Sequence, residues 1–179
     1  MKTLMLAPAT CLLGLLLVAP RAHAQAAWPD RTRVLPDKLR QVPVGLVLWH
    51  TPNPAYPEPN PSQPGQYVWR HSTAVRADVA DLQVVECGSF IWYNESGWQA
   101  NVRLSPAEFA AQFGCLQGKL AKGRTYTYPR NYRYAPGQQL YGGDALWYIL
   151  ATNSRGQLFK GIGLMETEAQ PLSNAVRTR

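Results

Sequence analysis

The sequence predicts a mainly β fold, an antiparallel sandwich of immunoglobulin-like or jelly-roll-like type with one short α-helix near residues 106–113. Three observations carry that reading. Runs rich in aromatic and β-branched residues recur at roughly ten-residue spacing, as in sandwiches and barrels. One of them, Trp98, Ala100, Val102 and Leu104 against Gln99, Asn101 and Arg103, alternates with a strict period of two. A single segment carries a full set of helix signals.

The N-terminus comes first. Lys2 gives a short positive start, and residues 4–19 are apolar but broken by Pro8 and Gly14. The run is too short and interrupted for a membrane span. Ala22-His23-Ala24 then places small residues where a signal peptidase reads them, so cleavage is expected before Gln25. Cys11 lies ahead of the leucine core, which argues against lipoprotein processing there. The expected product is secreted or periplasmic. Removing residues 1–24 takes away Lys2 and Arg21 and no acid, so two of the seven net positive charges are lost. The remainder suits one domain. Its modest positive charge favours anionic surroundings, although many merely soluble proteins carry as much. No second apolar run is long enough to span a bilayer.

Residues 25–50 read as a polar arm followed by a first strand, Val44-Gly45-Leu46-Val47-Leu48-Trp49. Residues 51–65 contain Pro52, Pro54, Pro57, Pro59, Pro61 and Pro64, and are expected to form a polyproline-II loop or semi-rigid spacer. Residues 66–168 form the predicted sandwich core. Residues 67–71 and 82–93 are strand-like, with Gly88 marking a bulge. Asn94-Glu95-Ser96-Gly97 is a turn and an N-glycosylation sequon, joining residues 90–93 and 98–103 into a hairpin.

The helix follows. Ser105 is the expected N-cap, Pro106 fits the first helical position and Glu108 completes a capping box. Leu104 and Phe109 occupy the staple positions, and Gly114 ends the helix in the left-handed way. Residues 124–128 open another strand, and residues 129–143 read as a long irregular stretch. Residues 145–151 and 158–165 form the last pair around a turn at Asn153-Ser154-Arg155-Gly156. Residues 169–179 look like a flexible tail.

Export leaves two cysteines, Cys87 and Cys115, an even pair in an oxidising compartment, and a disulfide between them is expected. In the chain-entropy model that bridge would contribute about 3–4 kcal/mol. His50 and His71 are the histidines left, and no H-x-x-x-H or C-x-x-C spacing exists, so neither a metal site nor a cofactor is expected. A G-x-S-x-G elbow and a phosphate-cradling glycine loop are both missing, and nucleic acid is not an expected partner.

The richest segment for binding is residues 124–147. It interleaves Arg124, Arg130 and Arg133 with Tyr126, Tyr128, Tyr132, Tyr134, Tyr141 and Trp147. Flat aromatic faces beside arginine donors suit sugar rings and acidic groups, yet aromatics also simply build strands. The candidate ligand surface is Arg130, Tyr132, Arg133, Tyr134, Tyr141 and Asp144. Asp144, after two glycines, is either a ligand contact or an ordinary turn residue. The leading expectation is a non-catalytic binding module for a glycan or another anionic extracytoplasmic ligand. A carboxylate-dependent hydrolase is the second reading. It would draw on Glu86, Glu95, Asp144, Glu166 or Glu168, whose spacing fixes no catalytic separation. A secreted protein-binding inhibitor or envelope assembly factor is the third. Oligomeric state is not legible.

Overall fold

The structure is a computed structural model and describes residues 34–92 and 97–172. The expected export signal, the Asn94–Ser96 sequon with Glu95, and residues 173–179 lie outside the described residues. Two antiparallel sheets pack face to face, as the period-two pattern predicts. The first holds β1 (Leu46–Thr51), β2 (Pro57–Pro59), β3 (Gln66–Ala77) and β7 (Thr125–Pro136). The second holds β4 (Leu82–Trp92), β5 (Trp98–Leu104), β6 (Lys119–Leu120), β8 (Gly143–Thr152) and β9 (Leu158–Thr167). Their inner faces share one core, with Trp69, Val75, Phe109 and Ile149 fully buried.

The two sheets are stitched along one edge. Lys160 bonds Gly45 and Pro43 through its backbone, and Ala55 bonds Glu166 and Glu168, so β9 runs beside β1 and the loop after it. Gly163 makes this approach feasible. A Cβ there would lie 2.9 Å from the Leu48 carbonyl oxygen and 3.1 Å from the His50 ring. On the opposite edge β5 and β7 do not pair, and the gap is partly filled by α2 (Pro106–Phe113). The helix is built as its sequence predicts: Ser105 and Glu108 form the capping box, and Gly114 adopts φ 65°. Phe109 and Phe113 stack at 4.3 Å and anchor it in the core.

Several expectations change. Cys87 and Cys115 are buried free thiols, and the expected bridge is not formed. Compartment and parity say nothing about whether two side chains meet in disulfide geometry. Both sulfurs instead fill apolar core, and burial pushes the Cys87 thiol up to about 12. The arm is not wholly extended. Residues Asp37–Arg40 form a helical turn, α1, whose Leu39 is fully buried on the outer face of the second sheet. The buried Lys160 ammonium donates to the Leu39 carbonyl and holds the arm down. The proline-rich stretch is also more structured than a spacer. Pro57–Pro59 forms an edge strand on β3, where proline is tolerated, and the Asn53 side chain bonds the backbone of Leu164 and Glu166.

The largest difference lies in residues 129–136, which are strand and not loop. His71 pairs with Asn131 and Thr73 with Tyr128, so Pro129 and Arg130 together oppose Ser72. Proline cannot donate to the ladder, and a bulge is the form in which a long strand accommodates it. The extra residue reverses the alternation. Tyr126 and Tyr128 face the core before it, and Asn131, Arg133 and Ala135 take the inner positions after it.

Candidate functional site

The bulge places a polar cluster on the inner face of the first sheet. His50 on β1, His71 and Thr73 on β3, and Asn131 on β7 are all more than nine-tenths buried. The Asn131 amide donates to Thr73 Oγ1 at 2.8 Å, and Thr73 Oγ1 lies 2.9 Å from His50 Nδ1. His50 Nε2 lies 3.3 Å from the Gly163 carbonyl oxygen. A carbonyl can only accept, so Nε2 carries the proton and Nδ1 accepts from the threonine hydroxyl. Every member of this chain is satisfied with a neutral imidazole. Burial accordingly lowers the His50 pKa to about 4, against a weaker opposing bond to Gly163.

His71 differs from His50. Its ring stands edge-on to His50 at 5.6 Å, it is 8 % exposed, and neither ring nitrogen has a hydrogen-bond partner. Burial, and then the proximity of His50, lower its pKa to about 4. The Trp69 backbone opposes this weakly without meeting hydrogen-bond geometry. At neutral pH the ring therefore offers one donor and one acceptor, both unused.

The His71 ring forms part of the wall of a cleft of about 540 Å³ between the sheets, beside α2 at the unpaired edge, with both nitrogens covered. Trp147 and Met165 lie deep in it, Tyr128 and Leu104 line its sides, and Tyr132 and Tyr141 stand at the rim. Gln112 of α2 also lines it, with a buried side-chain oxygen that lacks a partner. A volume of this size suits a small ligand. A second groove of about 580 Å³, near Lys119 and Arg124, is shallower. Two of its polar groups are occupied: Tyr126 accepts from the Ala121 amide, and Asp81 accepts from the Lys122 amide.

The six residues proposed from sequence divide between two faces. Arg133, Tyr141, Asp144 and Tyr132 border the cleft. The Arg133 guanidinium lies 4.5 Å from the Trp69 ring centre and donates to Thr167 Oγ1, which in turn donates to the Gly143 carbonyl. Asp144 sits at the margin. Ala145 and Trp147 take the inner side of β8, and the pleat turns Asp144 towards the outer side, opposite Glu166 of β9. Tyr134 and Arg130 do not line the cleft. Tyr134 packs on Tyr132 at 4.6 Å on the outer face of the first sheet. His71, Asn131 and Gln112 were not selected from sequence. Two histidines among apolar strands carry no spacing signal, and their meeting depends on pairing between distant strands.

Glu86 lies on the other side of the second sheet. It accepts from Lys38 at 2.7 Å and from the Tyr148 hydroxyl at 2.6 Å. These bonds hold its carboxyl below the usual range although burial pushes the other way. Asp144 is on that same side, but Glu86 pairs with Leu150, six positions along β8 from Asp144, about 20 Å of strand and beyond the separation at which two carboxylates flank one glycosidic bond. Among the described residues no three His, Cys, Asp or Glu side chains group as a metal site. Among them no helix is long and apolar enough to cross a membrane.

No family model and no curated protein matches this chain. Among solved structures it is similar to a crystal structure from Bordetella pertussis, of a protein assigned provisionally as ApaA. The identity is 21 % and the TM-score 0.45, over 74 % of this chain and 98 % of the other.

Proposed function

We propose that this chain is an exported, non-catalytic binding module, and that the inter-sheet cleft beside His71 receives its ligand, a glycan unit or an anionic small molecule. The observation that carries this reading is His71. An unpaired polar group in a protein interior costs about 1–3 kcal/mol. The ring is 8 % exposed and forms part of the cleft wall, and its covered, unbonded nitrogens would gain partners where a polar ligand parts that wall. Aromatic walls and an arginine near the rim fit the same role. Export rests on the sequence of residues 1–24.

A glycan array followed by titration of the best ligands tests the proposal. Loss of binding in His71→Ala, with binding kept in the Tyr134→Ala variant, supports the cleft. The reverse pattern assigns the ligand to the outer tyrosine face and removes the cleft reading. That outer face also gives the protein-binding alternative its one specific observation, since Tyr132 and Tyr134 are each more than two-fifths exposed and adjacent.

A further inference from the structure

We propose that one end of the sandwich docks on an anionic lipid surface, with Leu116 entering the headgroup layer and Lys119, Lys122, Arg124 and Arg155 meeting lipid phosphates. The proposal is independent of the cleft, which shares no lining residue with the groove at this end.

The first observation is where the charge lies. Four segments meet at this end: residues 41–45 before β1, the β3–β4 turn at 78–81, residues 114–124 between α2 and β7, and the β8–β9 turn at 152–157. Hydrogen bonds tie three of them together: the Asp78 amide donates to Gly45, the Gly123 amide to Ala77 and the Lys122 amide to Asp81. The fourth brings Asn153 and Ser154 to the same shallow groove as Asp81, Leu116 and Lys119. Together the segments hold Lys119, Lys122, Arg124 and Arg155, all exposed, against Asp78 and Asp81. Asp78 is already paired with Arg76 of β3 at 2.7 Å. The stretches that join strands at the opposite end, residues 52–65 and 137–142, contain Glu58 and no Lys or Arg. The sandwich is polarised, and an anionic plane would turn the cationic end towards itself.

The second observation is apolar exposure in the same place. Leu116 is 78 % exposed, Val44 64 % and Val79 43 %. Leu116 is not on a slack loop. Gln117 and Gly118 after it take φ 53° and 75°, a tight reversal, and the Gln83 side-chain amide donates to the Gln117 carbonyl at 2.7 Å. None of the four segments contains an aromatic residue. Sugar rings and bases are gripped by aromatic faces, which this end lacks. Aliphatic tips among cations suit a lipid surface, whose acyl boundary takes the leucine while its phosphates take the charges.

The test uses the processed chain from Gln25, which keeps every described residue and drops the apolar residues 4–19. It is sedimented with mixed phosphatidylglycerol–phosphatidylcholine vesicles and with phosphatidylcholine vesicles alone. The expected result is binding to the mixed vesicles that falls steeply with salt, and none to phosphatidylcholine alone. Lys119→Gln with Arg124→Gln should weaken partitioning by about thirtyfold, the effect of two charges near the surface. Leu116→Asn should weaken it by about tenfold. Arg70→Gln with Arg103→Gln removes the same charge from the sheet faces and should change it by less than about threefold. All five side chains are exposed, and urea midpoints check that each variant folds. Equal losses in the two double variants would mean that binding follows net charge and not this end, which overturns the proposal. Absence of binding, or equal binding to phosphatidylcholine alone, also overturns it. Heparin binding that is lost with Lys119 and Arg124 but kept in Leu116→Asn, without vesicle binding, assigns the end to an anionic polysaccharide instead. A ligand held in the cleft should bind all of these variants equally, so failure here leaves the cleft reading standing.

Discussion

His50 and His71 should make the fold labile to mild acid. Both rings are neutral when buried, with pKa values lowered from 6.5 to about 4 by burial. In the unfolded chain they take up protons as the pH falls through about 6.5, while in the folded protein they resist until about 4. The unfolded state therefore binds more protons across that window, and stability rises with pH through it. Worked from those two values, each histidine removes about 2.5 kcal/mol between pH 7.5 and 4.5, and about 3.4 kcal/mol below both values. The rings are close enough to titrate as a pair, so the total of about 5 kcal/mol at pH 4.5 belongs to both together. That is comparable with the whole stability of a small domain, about 5–15 kcal/mol. The carboxylates with lowered pKa values, Glu86, Asp78 and Glu108, lose their contribution only below their unfolded values, so they act mainly under pH 4.5. Urea unfolding at half-unit steps from pH 7.5 to 4.5 measures the effect. The midpoint should fall steadily from about pH 6.5 downward, and His71→Gln should remove about half of the slope. A midpoint that is flat to pH 4.5 would refute the reasoning, because it would mean that the rings are hydrated or already charged.

Three further outcomes follow from the packing. Gly88→Ala places a Cβ 2.4 Å from the Val102 carbonyl oxygen and 2.7 Å from the Tyr148 hydroxyl, so strand β5 must shift; chemical denaturation should show a loss of about 3 kcal/mol. Ser105→Ala removes the cap that accepts from the Glu108 amide, and should cost about 1 kcal/mol in the same measurement. Cys87 and Cys115 should both react with a thiol reagent in the denatured, unreduced protein and should be slow in the native one, Cys87 especially; mass mapping that finds them linked would overturn their assignment as free thiols.

The parts of the fold that could be read from sequence are those set by neighbours in the chain. Ser105, Pro106, Glu108 and Gly114 fix the helix within one local segment, and its observed bounds coincide with the expected ones. Trp92 faces Trp98 across β4 and β5, because their short separation in the chain limits the register. The C-terminal hairpin closes at Gly156, with φ 75°, for the same reason. What could not be read depends on contacts between distant strands. Pro129 looks like the end of a strand when viewed alone, and becomes a bulge only because β3 continues past it on one side. Leu39 looks like one apolar residue in a polar arm until the outer face of β8 and the Lys160 ammonium are set beneath it. The candidate surface was half legible in the same sense: the aromatic and arginine content of residues 124–147 points to the region, whereas the face each side chain takes depends on the bulge.

That bulge links the fold to the proposed site. If β7 kept its alternation through residue 130, Tyr132 and Tyr134 would point inward with Tyr126 and Tyr128, and the inter-sheet space would be filled by aromatic rings. Shifting the phase by one residue sends those two tyrosines to the outer face and brings Asn131 and Arg133 inside. Asn131 then completes the chain through Thr73 to His50, and His71, its cross-strand partner, is left beside an open cleft with nothing to bond. A core optimised for stability alone would place an apolar residue at position 71, since the unbonded ring costs free energy at neutral pH and more in acid. Such a cost, held on a rigid strand beside a cavity, is characteristic of a site kept ready for a ligand.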